Sequence, residues 1–231
     1  MANPEHLAVL NKGVVAWNQW REGHPHIVPD LTEADLSGKE LNGAHLESAQ
    51  LSHCHLEGAS LQGACLKRAD LWKARLADAN LEQAQLEEAN LNQARLDGAH
   101  LAGARLDRAD LWETYLEGAD LRGANLQGAD LGGAVLDGAV LQQAHLEGAY
   151  LNVALLGGAG LRDAHLEKAH CCGAFLGETD LSDTHVEGAN LSCVQGLTQE
   201  QLNKAFGDGN TKLPEGFDRP AAWLHEKVVK A

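Results

Sequence analysis

The sequence predicts an all-β fold: a four-sided β-solenoid of about eight coils, closed at both ends by short α-helical caps. Two regularities predict it. From residue 36 to residue 191 every fifth position is apolar, and 30 of these 32 positions are Leu. Residues twenty positions apart are chemically alike, which indicates that they stack. We therefore divide the chain into an N-terminal capping helix and linker (1–30), the solenoid (31–195) and a C-terminal helical cap and tail (196–231).

The first 30 residues predict a helix that covers the open start of the solenoid. Asn3 and Pro4 fit the N-cap and the first helical position. Apolar residues then recur at helical spacing to about Arg21, and Pro25 and Pro29 lead into the first coil. Because an open coil exposes unpaired strand edges, we expect a cap at this end.

The repeating unit of the central segment is Ala-x-Leu-x-x, in which x is mostly polar or Gly. The Ala and the Leu are two residues apart, which places both side chains on one face of an extended segment. One extra residue enters each unit and turns the chain through a corner, so the units close into a coil with Ala and Leu pointing inward. Two residues before each central position, 27 of 32 residues are Ala. The exceptions at the two inward positions are Lys39, Cys54, Thr114, Thr179 and Thr184 in place of Ala, and Cys171 and Val186 in place of Leu.

Columns of residues spaced by twenty indicate that four units make one coil. One such column contains Gly at six of its eight positions, counted from Gly38 to Glu178. A column counted from Glu47 to Glu187 is mostly acidic. Eight coils stacked ~4.8 Å apart, the spacing between hydrogen-bonded strands, would make a rod ~38 Å long.

The recurring alternation of Ala, Asp or Asn, and Leu resembles the pentapeptide repeat family. It is clearest in the stretch ADLRGANLQGADLGGA (119–134), and it extends over roughly residues 31–195. The resemblance implies the fold of that family, a right-handed quadrilateral parallel β-helix. The four sides agree with the count from the sequence, whereas the handedness comes from the resemblance alone.

The C-terminal segment predicts a second cap. Thr198 and Gln201 form a capping-box pattern for a short helix that reaches Phe206 and ends at Gly207. A further helical turn or two is predicted over 221–230. Capping is the role we favour, and the resemblance implies an alternative, a homodimer through the C-terminal helix as in some members of the family.

The charge of the chain limits what it can bind. It carries 18 Lys and Arg against 33 Asp and Glu, which argues against DNA, RNA or an anionic membrane as a direct ligand. No apolar run approaches the ~20 residues that span a bilayer. The five Cys residues form neither a disulfide framework nor a zinc pattern. We expect a cytoplasmic protein with reduced thiols.

A column of histidines, each followed two residues later by Glu, lies on one side of the predicted solenoid. Its upper members are His145, His165 and His185, with Glu147, Glu167 and Glu187. Zinc and nickel accept both ligand types, but a straight ladder holds imidazoles parallel instead of converging them on a tetrahedral point. We therefore expect no functional metal site and no cofactor, and keep the three histidines as minor metal candidates. We favour a solvated, pH-sensitive face, because a protonated imidazole would relieve the repulsion between stacked carboxylates.

Outward-facing apolar residues predict contact surfaces on two columns of the solenoid. They are Trp72 and Trp112 on one column and Tyr115, Val135, Leu155 and Phe175 on another. Exposed apolar stripes usually mark contact sites, so binding of a partner or homodimerisation through the stripe competes evenly with simple local packing. Together with the three upper Glu residues, they form the candidate interaction surface.

The favoured function is non-catalytic. A filled rod offers no cleft, and no set of catalytic side chains converges on one, so we expect no enzymatic activity. We interpret the chain as a binding or scaffold protein that presents an acidic rod-like surface to a protein partner, whose identity the residues do not reveal.

The resemblance also implies an alternative function. Some pentapeptide repeat proteins mimic duplex DNA and bind type II topoisomerases such as gyrase, which confers resistance to gyrase inhibitors. Residues 31–195 carry 25 acidic and 11 basic side chains, a net charge of −14. Over the rod this is one charge per ~2.7 Å, against ~1.7 Å for B-DNA. Gyrase-protecting members commonly have Phe at the central position and extruded loops, and this chain has neither, so we rank the DNA mimic second.

Overall fold

The computed structural model describes residues 1–224, and its main body is a four-sided parallel solenoid. Parallel bridges join residues twenty apart at every fifth position, from Asp30 with Gln50 to Phe175 with Gln195. Each bridge involves one residue, the one between the inward Ala and Leu, because a corner interrupts the extended backbone on every side. The predicted all-β solenoid is confirmed.

Hydrogen bonds between coils repeat with the same period. The Leu36 N–H donates to the His55 carbonyl at 2.7 Å, and the Gly38 N–H donates to the Glu57 carbonyl at 2.9 Å. In the opposite direction, the His55 N–H donates to the Ala34 carbonyl at 3.0 Å. The backbone polar groups of an inner coil are thus satisfied by the coils above and below it, as burial requires.

Each corner is a turn that places one residue in the left-handed region. The Ala44 N–H closes the turn by donating to the Leu41 carbonyl at 3.0 Å, and Gly43 between them has φ 64°. Glycine adopts this conformation without steric cost, which explains why it is frequent at this position. Other residues also occupy it, including Asp78 at φ 56° and Val153 at φ 54°.

The interior is filled by the inward columns. The repeat Leu residues are at most 4% exposed, and Cys171 and Val186 are each 2% exposed. Thr114, which replaces an Ala, is fully buried and donates its hydroxyl to the Leu91 carbonyl at 2.8 Å. The other buried replacements that bond a carbonyl of the preceding coil in the same way are Cys54, Thr179 and Thr184.

The N-terminal cap consists of two helices, α1 (Pro4–Leu10) and α2 (Val14–Gly23). The sequence analysis expected one helix to about Arg21, with Asn3 as N-cap. Asn3 does cap α1, accepting a hydrogen bond from the Glu5 N–H at 2.9 Å. The helix divides at Gly13, whose φ of 99° is incompatible with a continuous helix.

Helix α2 satisfies the open edge of the first coil. Trp17 is fully buried and donates its indole N–H to the His45 carbonyl at 2.9 Å. The Asn18 side chain accepts from the His45 N–H and donates to the Gly43 carbonyl. These side-chain hydrogen bonds replace the backbone hydrogen bonds that a preceding coil would form with the first coil.

The C-terminal segment extends the ladder beyond the regular period. Helix α3 (Gln199–Asn203) has the expected capping box between Thr198 and Gln201, but it ends before Phe206. Phe206 instead bridges to His185, and Lys212 bridges to Asn190.

A short 3₁₀ helix (Ala221–Leu224) follows, and its Trp223 donates an indole N–H to the Ala205 carbonyl at 2.9 Å. The remainder of the helix expected over 221–230 lies outside the described residues, and so does most of the proposed dimer helix. No helix within residues 1–224 is long and apolar enough to cross a membrane.

Candidate interaction surfaces

The three upper histidines form a stacked ladder. The rings of His145 and His165 are 5.1 Å apart and 7° from parallel, and those of His165 and His185 are 4.9 Å apart and 6° from parallel. The coil spacing imposes this arrangement, because the three residues occupy equivalent positions on consecutive coils. Phe206 continues the stack, with its ring 5.1 Å from that of His185.

Each histidine of the ladder also contacts the Glu of its own coil. The Nδ1 to Oε1 distances are 3.3 Å for His145 and Glu147, 3.1 Å for His165 and Glu167, and 3.3 Å for His185 and Glu187. Both residues of a pair lie on the outer surface because the residue between them points inward. The ligand atoms of His165, Glu167 and His185 all lie within 4.8 Å of one another.

The acidic column beside this ladder is neutralised by basic residues only in its lower half. Glu87 lies 2.9 Å from the Arg105 guanidinium and 3.6 Å from the Lys67 ammonium group. One coil higher, the Asn125 amide donates to Asp107 at 2.6 Å. A shallow surface depression, lined by Glu87, Arg105 and Asp107 among others, lies at this level.

The upper half of the column has a different environment. Within residues 1–224 its carboxylates form no ion pair with Lys or Arg, and their charged contacts are the imidazoles. Each also keeps a buried oxygen, Oε2, without a hydrogen-bond partner in the described part of the chain, a feature shared with Glu87 and Asp107 of the lower half. These upper carboxylates are Glu147, Glu167 and Glu187.

The predicted apolar stripe lies along one side of the rod. Tyr115, Leu155 and Phe175 are 45%, 42% and 39% exposed, and Val135 between them is half-buried. The four residues are joined through parallel bridges, so they form one continuous column. The Phe175 ring lies across Gly177, where a Cβ would be only 2.4 Å from the ring. The ring is therefore held against the backbone while its outer face remains open to solvent.

The two tryptophans do not form one surface. Trp72 and Trp112 are 38% and 40% exposed and stand two coils apart in the same column. Trp72 packs locally, with the His53 ring 4.8 Å away and the Lys73 ammonium group 4.5 Å from its own ring. Trp112 lies against Gly132, where a Cβ would meet its ring at 2.3 Å. Local packing therefore accounts for much of their position.

The thiols fall into two environments. Cys54 and Cys171 are buried, and burial raises the pKa of each thiol to about 12. Cys172 and Cys193 lie on neighbouring coils with their side chains in contact at the surface. Hydrogen bonds from Cys172 and Ser192 lower the pKa of Cys193, whereas contact with Cys193 raises the pKa of Cys172.

Some surface contacts go beyond what the sequence analysis described. Val153, 55% exposed, borders the apolar stripe, and Arg95 places its guanidinium 5.7 Å from the Tyr115 ring. Two further His-Leu-Glu trios begin at His45 and His55. Neither has a histidine on the next coil, since the bridged residues above them are Cys65 and Arg75. A search for His-x-Glu at any position would have found both trios.

Among solved structures, HetL has a similar fold. HetL, a pentapeptide repeat protein involved in the regulation of heterocyst differentiation in the cyanobacterium Nostoc sp. strain PCC 7120, is 27% identical. The match covers 90% of this chain and 98% of HetL, with a TM-score of 0.72. QnrB1, a plasmid-mediated fluoroquinolone resistance protein, is 14% identical over 78% of this chain and 90% of QnrB1, with a TM-score of 0.47. A comparison with curated proteins gives no significant match.

The family model for pentapeptide repeats matches most of the solenoid. Eight copies are found, in segments covering residues 30–63, 64–103, 74–113, 99–138, 114–152 and 159–192. These segments lie within the solenoid that the bridges define, and they confirm the resemblance inferred from the sequence. The chain belongs to the pentapeptide repeat family.

Proposed function

We propose that this protein is a non-catalytic binding protein whose rigid acidic rod presents fixed columns of side chains to a protein partner. The observation that carries the proposal is the apolar stripe of Tyr115, Val135, Leu155 and Phe175. Three of its members are 39–45% exposed on a molecule with a formal charge of −15. A contiguous exposed apolar column is typical of a contact site.

Rigidity supports this proposal. The backbone N–H and carbonyl of each stripe residue bond the preceding coil, and the residues on either side of it bond the next coil. The side chains are therefore presented at a fixed spacing before any partner arrives. A preorganised surface loses little conformational entropy on binding. Leu and Ala fill the interior of the solenoid, which leaves no internal substrate pocket within residues 1–224. The regulatory role described for HetL supports a binding function for a protein of similar fold.

The test is affinity capture from the native cell lysate with matched variants. Wild-type protein is compared with Leu155→Lys/Phe175→Lys, which places two charges in the stripe. The control is Ser60→Lys/Val140→Lys, which adds the same charge to another side. We expect wild type and control to capture the same partner and the stripe variant to lose it. Equal capture of the partner by all three proteins would show that the partner does not bind through the stripe.

The charge density favours a second candidate, a DNA mimic that binds a type II topoisomerase. The net charge of −14 over residues 31–195 is of the same order per unit length as that of B-DNA. This candidate predicts that the purified protein inhibits gyrase supercoiling, or protects gyrase from its inhibitors, at micromolar concentration. Absence of both effects and of binding would exclude it and leave the first proposal intact.

A further inference from the structure

We propose that the upper part of the His/Glu ladder binds a divalent transition-metal ion of the zinc class, through His165, Glu167 and His185. The ligand atoms of these three residues lie within 4.8 Å of one another. The inference is independent of the partner-binding proposal, because the ladder and the apolar stripe occupy different columns of the rod.

The first step of the argument is the geometry within one coil. The Nδ1 of His165 lies 3.1 Å from Oε1 of Glu167. In a tetrahedral zinc site, bonds of 2.0–2.2 Å place neighbouring ligand atoms about 3.3–3.5 Å apart. One His-x-Glu pair is therefore within about 0.2 Å of the separation of two adjacent ligands. The sequence analysis noted both ligand types but did not foresee that each imidazole turns its Nδ1 toward the Glu of its own coil.

The next coil supplies the third ligand. The His185 ring is stacked on that of His165 at 4.9 Å, and the rings are nearly parallel, as the sequence analysis expected. Their ligand nitrogens are at most 4.8 Å apart, so reaching the ~3.4 Å spacing of a tetrahedral site requires each to move by up to about 0.7 Å. Their side chains are 34% and 36% exposed, so solvent leaves room for this tilt.

Charge provides an independent argument. In the lower half of the acidic column, Lys67 and Arg105 lie beside Glu87. In the upper half, no Lys or Arg within residues 1–224 pairs with Glu167 or Glu187. The Oε2 atoms of these two carboxylates are buried and unpartnered in the described chain, as are oxygens of Glu87 and Asp107. The absence of a nearby Lys or Arg is what distinguishes Glu167 and Glu187 from Glu87. Buried carboxylate oxygens require a partner, and a divalent cation supplies both charge and coordination.

The donor set selects the class of ion. Imidazole nitrogen together with carboxylate oxygen suits zinc, nickel or copper, whereas magnesium and calcium prefer oxygen alone. The site lies at the upper pair of coils because Gln127 already donates to Oε1 of Glu147 at 3.1 Å. That hydrogen bond occupies Oε1 of Glu147, the carboxylate oxygen that would have to bind the metal together with His145.

The test is calorimetric titration of tag-free protein with Zn²⁺ alone, and with Mg²⁺ in parallel. His165→Ala removes a central ligand and leaves the inward columns intact. The matched control is His55→Ala. His55 begins another trio of the same sequence, His-Leu-Glu, but its Glu57 is already paired with Arg75 at 2.6 Å. Glu167→Gln, which preserves shape, tests the carboxylate separately.

We expect wild type and His55→Ala to bind Zn²⁺ equally, and His165→Ala and Glu167→Gln each to bind it at least ~10-fold more weakly. Zn²⁺ should raise the melting temperature of wild type and His55→Ala, and not that of the other two variants. Equal Zn²⁺ affinity of wild type and His165→Ala would overturn the proposal. So would an equal loss in His55→Ala, which would indicate binding by separate trios, or Mg²⁺ binding as tight as Zn²⁺ binding, which would indicate simple attraction to acidic groups.

Discussion

At the scale of the residue, the positions that depart from the repeat show how narrow the inward columns are. Thr114 replaces Ala without opening the coil, because its hydroxyl donates to the Leu91 carbonyl on the preceding coil. Cys54 does the same through its thiol toward the Leu31 carbonyl. A polar group is tolerated in this interior where it reaches an unused lone pair of a backbone carbonyl. The sequence alone marks these positions as exceptions but does not reveal the bond that permits them.

The two classes of thiol give a prediction at this scale. Burial raises the pKa of Cys54 and Cys171 to about 12, so both remain protonated and inaccessible near neutral pH. A lowered pKa gives Cys193 more thiolate at a given pH, so it should react first. We expect a disulfide reagent at pH 8 to modify Cys65, Cys172 and Cys193 in the folded protein, and all five thiols in guanidinium. Labelling of Cys54 in the folded protein as fast as that of Cys193 would contradict the assignment.

At the scale of the element, each corner of the solenoid requires one residue with a left-handed backbone conformation. Val153 occupies a left-handed corner position at φ 54°, which is strained for a β-branched side chain. Val153→Gly should therefore raise the free energy of unfolding by about 1 kcal/mol. The control is Asn152→Gly, at the preceding corner position where φ is not positive, and this change should destabilise. The free energy of unfolding of both variants is measured by chemical denaturation. A Val153→Gly protein that is less stable than wild type would contradict the inference that Val153 is strained.

The N-terminal cap gives a second prediction for an element. Trp17→Ala removes a buried ring and its bond to the His45 carbonyl, at a cost of about 3–5 kcal/mol. Because each coil contacts only its neighbours, the loss should appear first as faster hydrogen exchange in the adjoining coils. Val15→Ala, at a position 74% exposed on the same helix, is the control. Unchanged exchange of the amides over residues 45–65 in Trp17→Ala would show that α2 is dispensable.

At the scale of the whole molecule, stability is the sum of similar layers. Leu126 lies in the middle of the rod and is fully buried. Leu126→Asp loses about 1.5–3 kcal/mol of apolar burial and places a carboxylate in a dry interior, so the middle coils should not form. Leu126→Met, which conserves volume, should cost less than about 1.5 kcal/mol. A soluble Leu126→Asp protein that melts at the wild-type temperature would refute the inward assignment.

The sequence by itself determined the period of five, the coil of twenty residues, and which positions face inward. It could do so because every coil contacts only the coils next to it. Each coil therefore requires apolar residues at the same positions, and the pattern repeats every twenty residues. The stacking of His145, His165 and His185 follows from the same count.

The tertiary structure decided the features that depend on contacts outside the period. The N-terminal helix divides at Gly13, and α2 then places Trp17 against the first coil. Phe206 joins the ladder although it is not twenty residues from His185. The turn of each imidazole toward the Glu of its own coil is likewise a side-chain rotation, and only the three-dimensional neighbours select it.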